Sequence, residues 1–198
     1  MKSESAAFHR RLTGPRWPCR GRVRLGSPVL RPCYNPSMRR KDREITDRTE
    51  IDALLSRSKV CRVAFAVDSE PYLVPLSHGY DAKDGALFFH TAKEGRKIDC
   101  IEANPRVCFE VEGLAEVKEG DERACSWGAR YESVIGFGTI VELTSAEEKE
   151  RALRCTMGQQ AGEEKSWTFA PKMVEATRVW RLDIESLTGK RSVRPREA

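Results

Sequence analysis

No stretch of this 198-residue chain stays apolar long enough to cross a bilayer as a helix, and its N-terminal region lacks the apolar core of a secretory signal. A soluble, cytoplasmic protein without a membrane partner is the expectation. Histidine is scarce: His9, His78 and His90 stand far apart, so a metal site built from protein ligands has little to draw on. None of the seven cysteines (Cys19, Cys33, Cys61, Cys100, Cys108, Cys125 and Cys155) forms a C-x-x-C pair, and their number is odd. That pattern argues against zinc-site spacing and a closed disulfide framework, leaving buried free thiols in a reducing compartment. An excess of charge is also missing from most of the chain. The formal net charge is +5, but residues 1–37 carry eight Lys/Arg against one acidic residue, which leaves 27 basic against 29 acidic residues beyond them. The basic character belongs to this leader, so a nucleic-acid partner is expected through the leader or not at all.

The leader is rich in Arg, Pro, Gly and Ser without periodicity and reads as disordered, either an upstream extension or mis-assigned start, or a targeting or nucleic-acid-binding arm. Residues 38–190 suffice for one domain with a full core, and residues 191–198 read as a basic tail. The domain opens with a helix capped by Thr46 or Asp47, with Glu50 in the capping-box position and Ile51, Leu54 and Leu55 as its apolar stripe. Residues 60–67 and 72–80 predict a hairpin turned by Asp68, Ser69, Glu70 and Pro71. A second turn over 81–85 leads to a strand over 86–91, a helix from Arg96 to Asn104 and Pro105, and a strand over 107–111. Residues 114–126 are polar and read as a loop, followed by a long strand (131–143), a helix (145–160, capped by Ser145 with Glu148 three residues on) and a last strand (177–184). The fold class is mainly β: antiparallel strands with peripheral helices, as in a small closed or split barrel.

One junction carries chemistry. The apolar strand ending at Thr91 runs through Gly95 into a helix that opens with Arg96 and Lys97. Cations in a first turn oppose the helix dipole by a few tenths of a kcal/mol each, and a bound phosphate removes the conflict. The competing reading is a pair of solvated cations without a ligand. His90 falls on the strand face opposite Phe89 and Thr91; taken alone, it reads as a hydrogen-bonded barrel histidine. Pro75 cannot donate to a ladder and so marks an edge or bulge, while Ser77 and His78 after it are explained equally well by strand-end hydrogen bonds. Gly136 and Gly138 share a face and either clear space for a flat ring or permit the coiling of a barrel wall, which we favour. Trp127 either stacks on a ligand or covers the core.

The segment LFFHTAKEGRKIDCIEANPRVCFEV (residues 87–111) resembles the strand, phosphate loop and helix of the flavin-nucleotide-binding split-barrel proteins. Within that superfamily it is most similar to the nitroimidazole-resistance branch, relatives of pyridoxamine 5′-phosphate oxidase. PYLVPLSHGYD (71–81) and GARYESVIGFGTIVEL (128–143) match in order, TRVWRLDIESLTGK (177–190) matches more weakly, and together they spread over nearly all of residues 38–190. The resemblance implies an FMN-binding split β-barrel acting as a symmetric homodimer, with flavins at the subunit interface. It implies that Arg96 and Lys97 hold the FMN phosphate, that Gly95 lets the backbone approach, and that Thr91 and Ala92 lie beside the ribityl chain or ring, next to Phe89 and His90. The backbone of Val74, Pro75, Leu76 and Ser77 would follow the flavin edge, and Arg130, Tyr131 and Ser133 would reach the flavin of the partner subunit. Phe89-His90-Thr91 matches an aromatic-His-Thr triplet whose histidine is implicated in the active site, which makes His90 the catalytic candidate, as proton donor or as the group forming an adduct with a carbonyl compound. The implied activity is that of an FMN-dependent oxidoreductase acting on small electron-poor substrates such as nitroimidazoles and other nitroaromatics. Alternatives are a non-catalytic flavin or haem binding or sensing protein, and an oxidase related to pyridoxamine 5′-phosphate oxidase. The substrate-binding C-terminal motif of that enzyme has no convincing counterpart here, since residues 189–195 are basic but lack its tryptophan. A deazaflavin in place of FMN is left open by these residues.

Overall fold

The computed structural model describes residues 38–162 and 165–192. The expected leader (1–37) and most of the expected tail (193–198) lie outside the described residues. Strand β1 (Glu44–Ile45) precedes helix α1 (Arg48–Arg57), which Asp47 caps by accepting the Thr49 N–H at 2.8 Å. Glu50 does not close a capping box; its carboxylate pairs with Arg191 instead. Ile51, Leu54 and Leu55 are buried, as the stripe predicts.

Strands β2 (Val60–Val67) and β3 (Glu70–Ser77) form the expected hairpin, but only Asp68 and Ser69 make the turn. Both have positive φ (51° and 65°), the hand of a two-residue turn that matches strand twist, so Glu70 and Pro71 already belong to β3. The strand expected over 72–80 breaks at His78, and β4 (Gly79–Asp81) pairs with β5 (Ala86–Thr91). After helix α2 (Arg96–Ala103), β6 (Arg106–Lys118) and β7 (Gly128–Leu143) run long, followed by α3 (Ala146–Ala161), α4 (Pro171–Ala176) and β8 (Arg178–Arg191).

The antiparallel order is β3-β2-β6-β7-β8-β5-β4, with β1 added on β8. Strands β3 and β4 are separated by one residue yet occupy opposite ends of this path, so the sheet curls until its ends meet. Continuing the β4–β5 register (Gly79 opposite Phe88) past His78 would set Ser77 opposite His90, but β3 and β5 form no ladder. The barrel is split there. Inward residues such as Val63, Phe65, Phe89, Phe109, Val111, Val134 and Leu182 fill it, while Phe88 and Val179 pack outward beneath α3 with Ala152. No helix among the described residues is long and apolar enough to cross a membrane.

Several expectations are corrected. Residues 114–118 are not loop: β6 resumes pairing after a bulge between Glu112 and Ala115 and continues to Lys118 opposite Gly128. This extension projects beyond the core, with Val117 71% exposed, so no buried face imprints an alternating pattern on it. Strand β8 likewise passes Ile184 to Arg191, which pairs with Glu132 and belongs to the sheet rather than to a tail. Helix α4 was not anticipated. Of the cysteines, Cys61 and Cys100 are buried, Cys108 and Cys155 are partly so, and Cys125 is exposed. Burial pushes the Cys61 thiol up to about 12, which makes it inert at neutral pH. Gly136 and Gly138 face inward: a Cβ at Gly136 would strike the Phe109 ring, and one at Gly138 the Asp183 carbonyl, where the β7–β8 register shifts. They serve the coiling of the wall, and Phe109 occupies the patch they clear.

His78, the link between the two sheet ends, is buried, with Nε2 3.3 Å from the Leu55 carbonyl oxygen and 3.0 Å from the Gln159 side-chain nitrogen. Its Nδ1 is buried without a hydrogen-bond partner, and burial lowers its pKa from 6.5 to about 4. The unfolded chain therefore takes up a proton over that window that the folded chain refuses. Stability should fall by about 3 kcal/mol as pH drops from about 6.5 to about 4, and the loss is complete once pH is below the folded value. Urea midpoints measured in steps across that window test this: the slope should be shallower in His78→Gln, and identical slopes would refute it.

Candidate functional site

Gly95 sets the geometry of the loop between β5 and α2. At φ 127° it holds a backbone conformation that residues with a Cβ avoid, and it caps α2 without a side-chain bond, its carbonyl accepting from the Ile98 (2.7 Å) and Asp99 (3.3 Å) N–H groups. Buried Ile98, Cys100 and Ile101 fix the helix against the barrel. Arg96 is exposed and Lys97 half-buried, and neither takes part in an ion pair among the described residues. By contrast Arg178, at the neighbouring end of β8, is gripped by Glu142 at 2.6 Å and Glu102 at 3.0 Å, with its pKa raised chiefly by the Glu142 hydrogen bond. The Arg96 guanidinium lies 4.4 Å from the centre of the Tyr72 ring, which in turn stacks on Phe65 at 6.0 Å. The loop thus reaches across the split to β3.

On β3, Val74 and Leu76 turn inward, and Pro75 and Ser77 are exposed on a strand whose second edge is unpaired among the described residues. Thr91 is buried: its hydroxyl accepts from Trp180 Nε1 at 2.9 Å and donates to the Ala92 carbonyl at 2.8 Å. Phe89 is in the barrel core. These two side chains therefore stabilise the strand end from inside, while Ala92 is exposed at this edge. His90 points the other way. It is exposed, no hydrogen bond to its ring is formed among the described residues, and it borders a cleft of about 330 Å³ between α3 and α4. Leu153, Met157, Phe169, Met173 and Val174 form much of this cleft, which sequence reasoning missed because α4 was missed; Pro171, the first helical residue, was the available signal.

Arg130, Tyr131 and Ser133 are not brought to the loop. The pairings His90–Val179 and Val179–Leu143 put His90 level with the end of β7, ten strand positions (about 33 Å at the usual rise) from Ser133. Tyr131 accepts a hydrogen bond from Arg43 at 3.2 Å, which heads the causes lowering its pKa, and Lys190 lies 6.0 Å from its ring. Trp127 does not cover the core; it is exposed and donates to the Asp121 carbonyl at 2.8 Å.

An antiparallel barrel parted between β3 and β5, with an uncapped cationic helix start beside the opening, defines a split-barrel protein. The chain belongs to the pyridoxamine 5′-phosphate oxidase family, which matches residues 47–191. A candidate 5-nitroimidazole antibiotic resistance protein from Bacteroides thetaiotaomicron VPI-5482 superposes with a TM-score of 0.65 at 26% identity, covering 74% of this chain and 85% of that one. The FAD and haem binding protein of Mycobacterium smegmatis superposes with a TM-score of 0.66 over 79% of this chain and 77% of its own, and at 20% identity that likeness concerns the fold alone. RA0666 of Rhizobium meliloti (strain 1021) is 23% identical over 103 residues, 52% of this chain, and the match spans 59% of that relative's length.

Proposed function

We propose that this chain binds a flavin, FMN in particular, and reduces small electron-poor molecules such as nitroimidazoles. The observation that carries the reading is the adjacent Arg96 and Lys97 at a glycine-led helix start without a side-chain cap, without carboxylate partners among the described residues and beside an open strand edge. Backbone N–H groups, a guanidinium fork and an ammonium suit one phosphate group, and the donor set fits FMN. Arg96 and Lys97 hold the phosphate, while Ala92, Gly95 and the β3 backbone from Val74 to Ser77 border the rest of the cofactor. A bound flavin supplies the electrons of the reduction. His90, exposed at the end of the same strand, donates a proton to an oxygen of the nitro group. The likeness to the Bacteroides protein supports this choice of substrate.

The site is completed by a second copy of the chain. Arg130, Tyr131 and Ser133 lie too far along β7 to serve the loop of their own chain, and the outer sheet face exposes Leu73 (59%) and Ile135 (43%), apolar groups suited to an isologous contact. A second reading, a haem binder, is favoured by the exposed His90 ring, unpartnered among the described residues and a suitable axial ligand. One experiment separates these: the visible spectrum of the purified protein, followed by release and mass analysis of the chromophore, with sedimentation for the assembly. FMN on a dimer is expected. A Soret band without flavin would transfer the chain to the second reading, and a colourless protein that takes up neither cofactor would end both.

A further inference from the structure

We propose that the cleft beside His90 is a binding site for small uncharged aromatic molecules and turns away anions. This deepens the reading of His90 as the proton donor and rests on it for its catalytic meaning, though binding itself requires only the cleft. At about 330 Å³ it lies at the small end of ligand pockets and suits a single substituted ring. Among the described residues, no Asp, Glu, Lys or Arg contributes to its lining. Two of its three threonines are turned to backbone: the Thr156 hydroxyl donates to the Ala152 carbonyl at 3.0 Å, and the Thr177 hydroxyl to the Met173 carbonyl at 2.7 Å, which leaves Thr168 as a neutral polar group in the lining.

Two cations of the neighbouring helix α3 are engaged with backbone and carboxylate groups. Lys149 donates to the Thr177 carbonyl at 3.0 Å, and Arg154, 5.5 Å from the Phe169 ring, donates to the Trp167 carbonyl at 2.8 Å and to Glu150 at 2.7 Å. An entering carboxylate would lose its water and meet no cation among the described lining residues, whereas a neutral ring meets thioether and aromatic surface from Met157, Met173 and Phe169. Charge recognition is thereby divided along one strand end: the loop after Thr91 takes an anion, and the cleft at His90 takes a neutral group.

The test uses the full-length protein as purified, with [¹³C]methyl-labelled methionine, titrated with nitrobenzene and separately with 4-nitrobenzoate. Met157 and Met173 border the cleft and Met38 does not, so the reporter carries its own control. Nitrobenzene should shift both cleft methyls saturably and leave Met38 unmoved, with 4-nitrobenzoate binding at least roughly tenfold more weakly. Met173→Lys, at a 65% exposed position, should bring 4-nitrobenzoate to parity when read at Met157; Leu153→Lys, read at either methyl, repeats the test from α3. Equal affinities in the parent, or no saturable shift of the cleft methyls, would overturn the proposal. Cleft shifts in a protein that takes up no flavin would instead leave the cleft standing and remove the flavin reading.

Discussion

Replacing Arg96 and Lys97 together by alanine is expected to leave a folded barrel that no longer retains flavin. Each side chain would make charge-assisted contacts to the phosphate worth about 1.5–3 kcal/mol, so the double variant loses about two to four powers of ten in affinity. The fold should survive because neither side chain is in an ion pair among the described residues, and because Ile98, Cys100 and Ile101 seat α2 without them. Removing two cations from a first helical turn even relieves an opposing dipole, against which the loss of the Arg96–Tyr72 contact costs about 0.5–1 kcal/mol. Flavin retention after gel filtration, read beside a thermal melt, measures both halves of this expectation. A stable double variant with parental flavin affinity would withdraw the phosphate assignment and most of the functional reading with it. Arg96→Lys should fall between the two, since it keeps the charge but gives up the fork.

His90→Ala is expected to separate cofactor retention from chemistry. The phosphate grip comes from the loop after Thr91, and the barrel interior beneath His90 is formed by Phe89 and Thr91, so the variant should bind flavin and melt like the parent. Transfer to a nitroimidazole in a single turnover of reduced protein should slow by about 10²–10⁴-fold, the scale of losing a positioned proton donor. Equal rates in variant and parent would make His90 an ordinary surface residue of β5. Loss of flavin in the variant would instead make it part of the cofactor's own enclosure, and the haem reading would then be tested by whether haem uptake disappears too.

What the sequence determined by itself is local. Asp47 and Ser145 announce helix starts because a cap bonds to N–H groups two or three residues away, and Ile51, Leu54 and Leu55 declare their face through the helical period. The Gly95-Arg96-Lys97 junction is legible for the same reason: the residues that form it are neighbours in the chain. The inward direction of Phe89 and the outward direction of His90 follow from strand alternation alone. Other features needed the tertiary structure. The extensions of β6 and β8 exist because β7 runs alongside them; that of β6 is mostly exposed and that of β8 mostly half-buried, so neither shows a clean alternation of burial. The engagement of the Thr91 hydroxyl depends on Trp180, 89 residues away. The cleft at His90 needs α3 and α4 folded over β5, and the separation of Ser133 from His90 follows from two ladders of register. Each of these is a pairing between distant segments, in which the partner's position, rather than the residue's own neighbours, sets what the side chain meets.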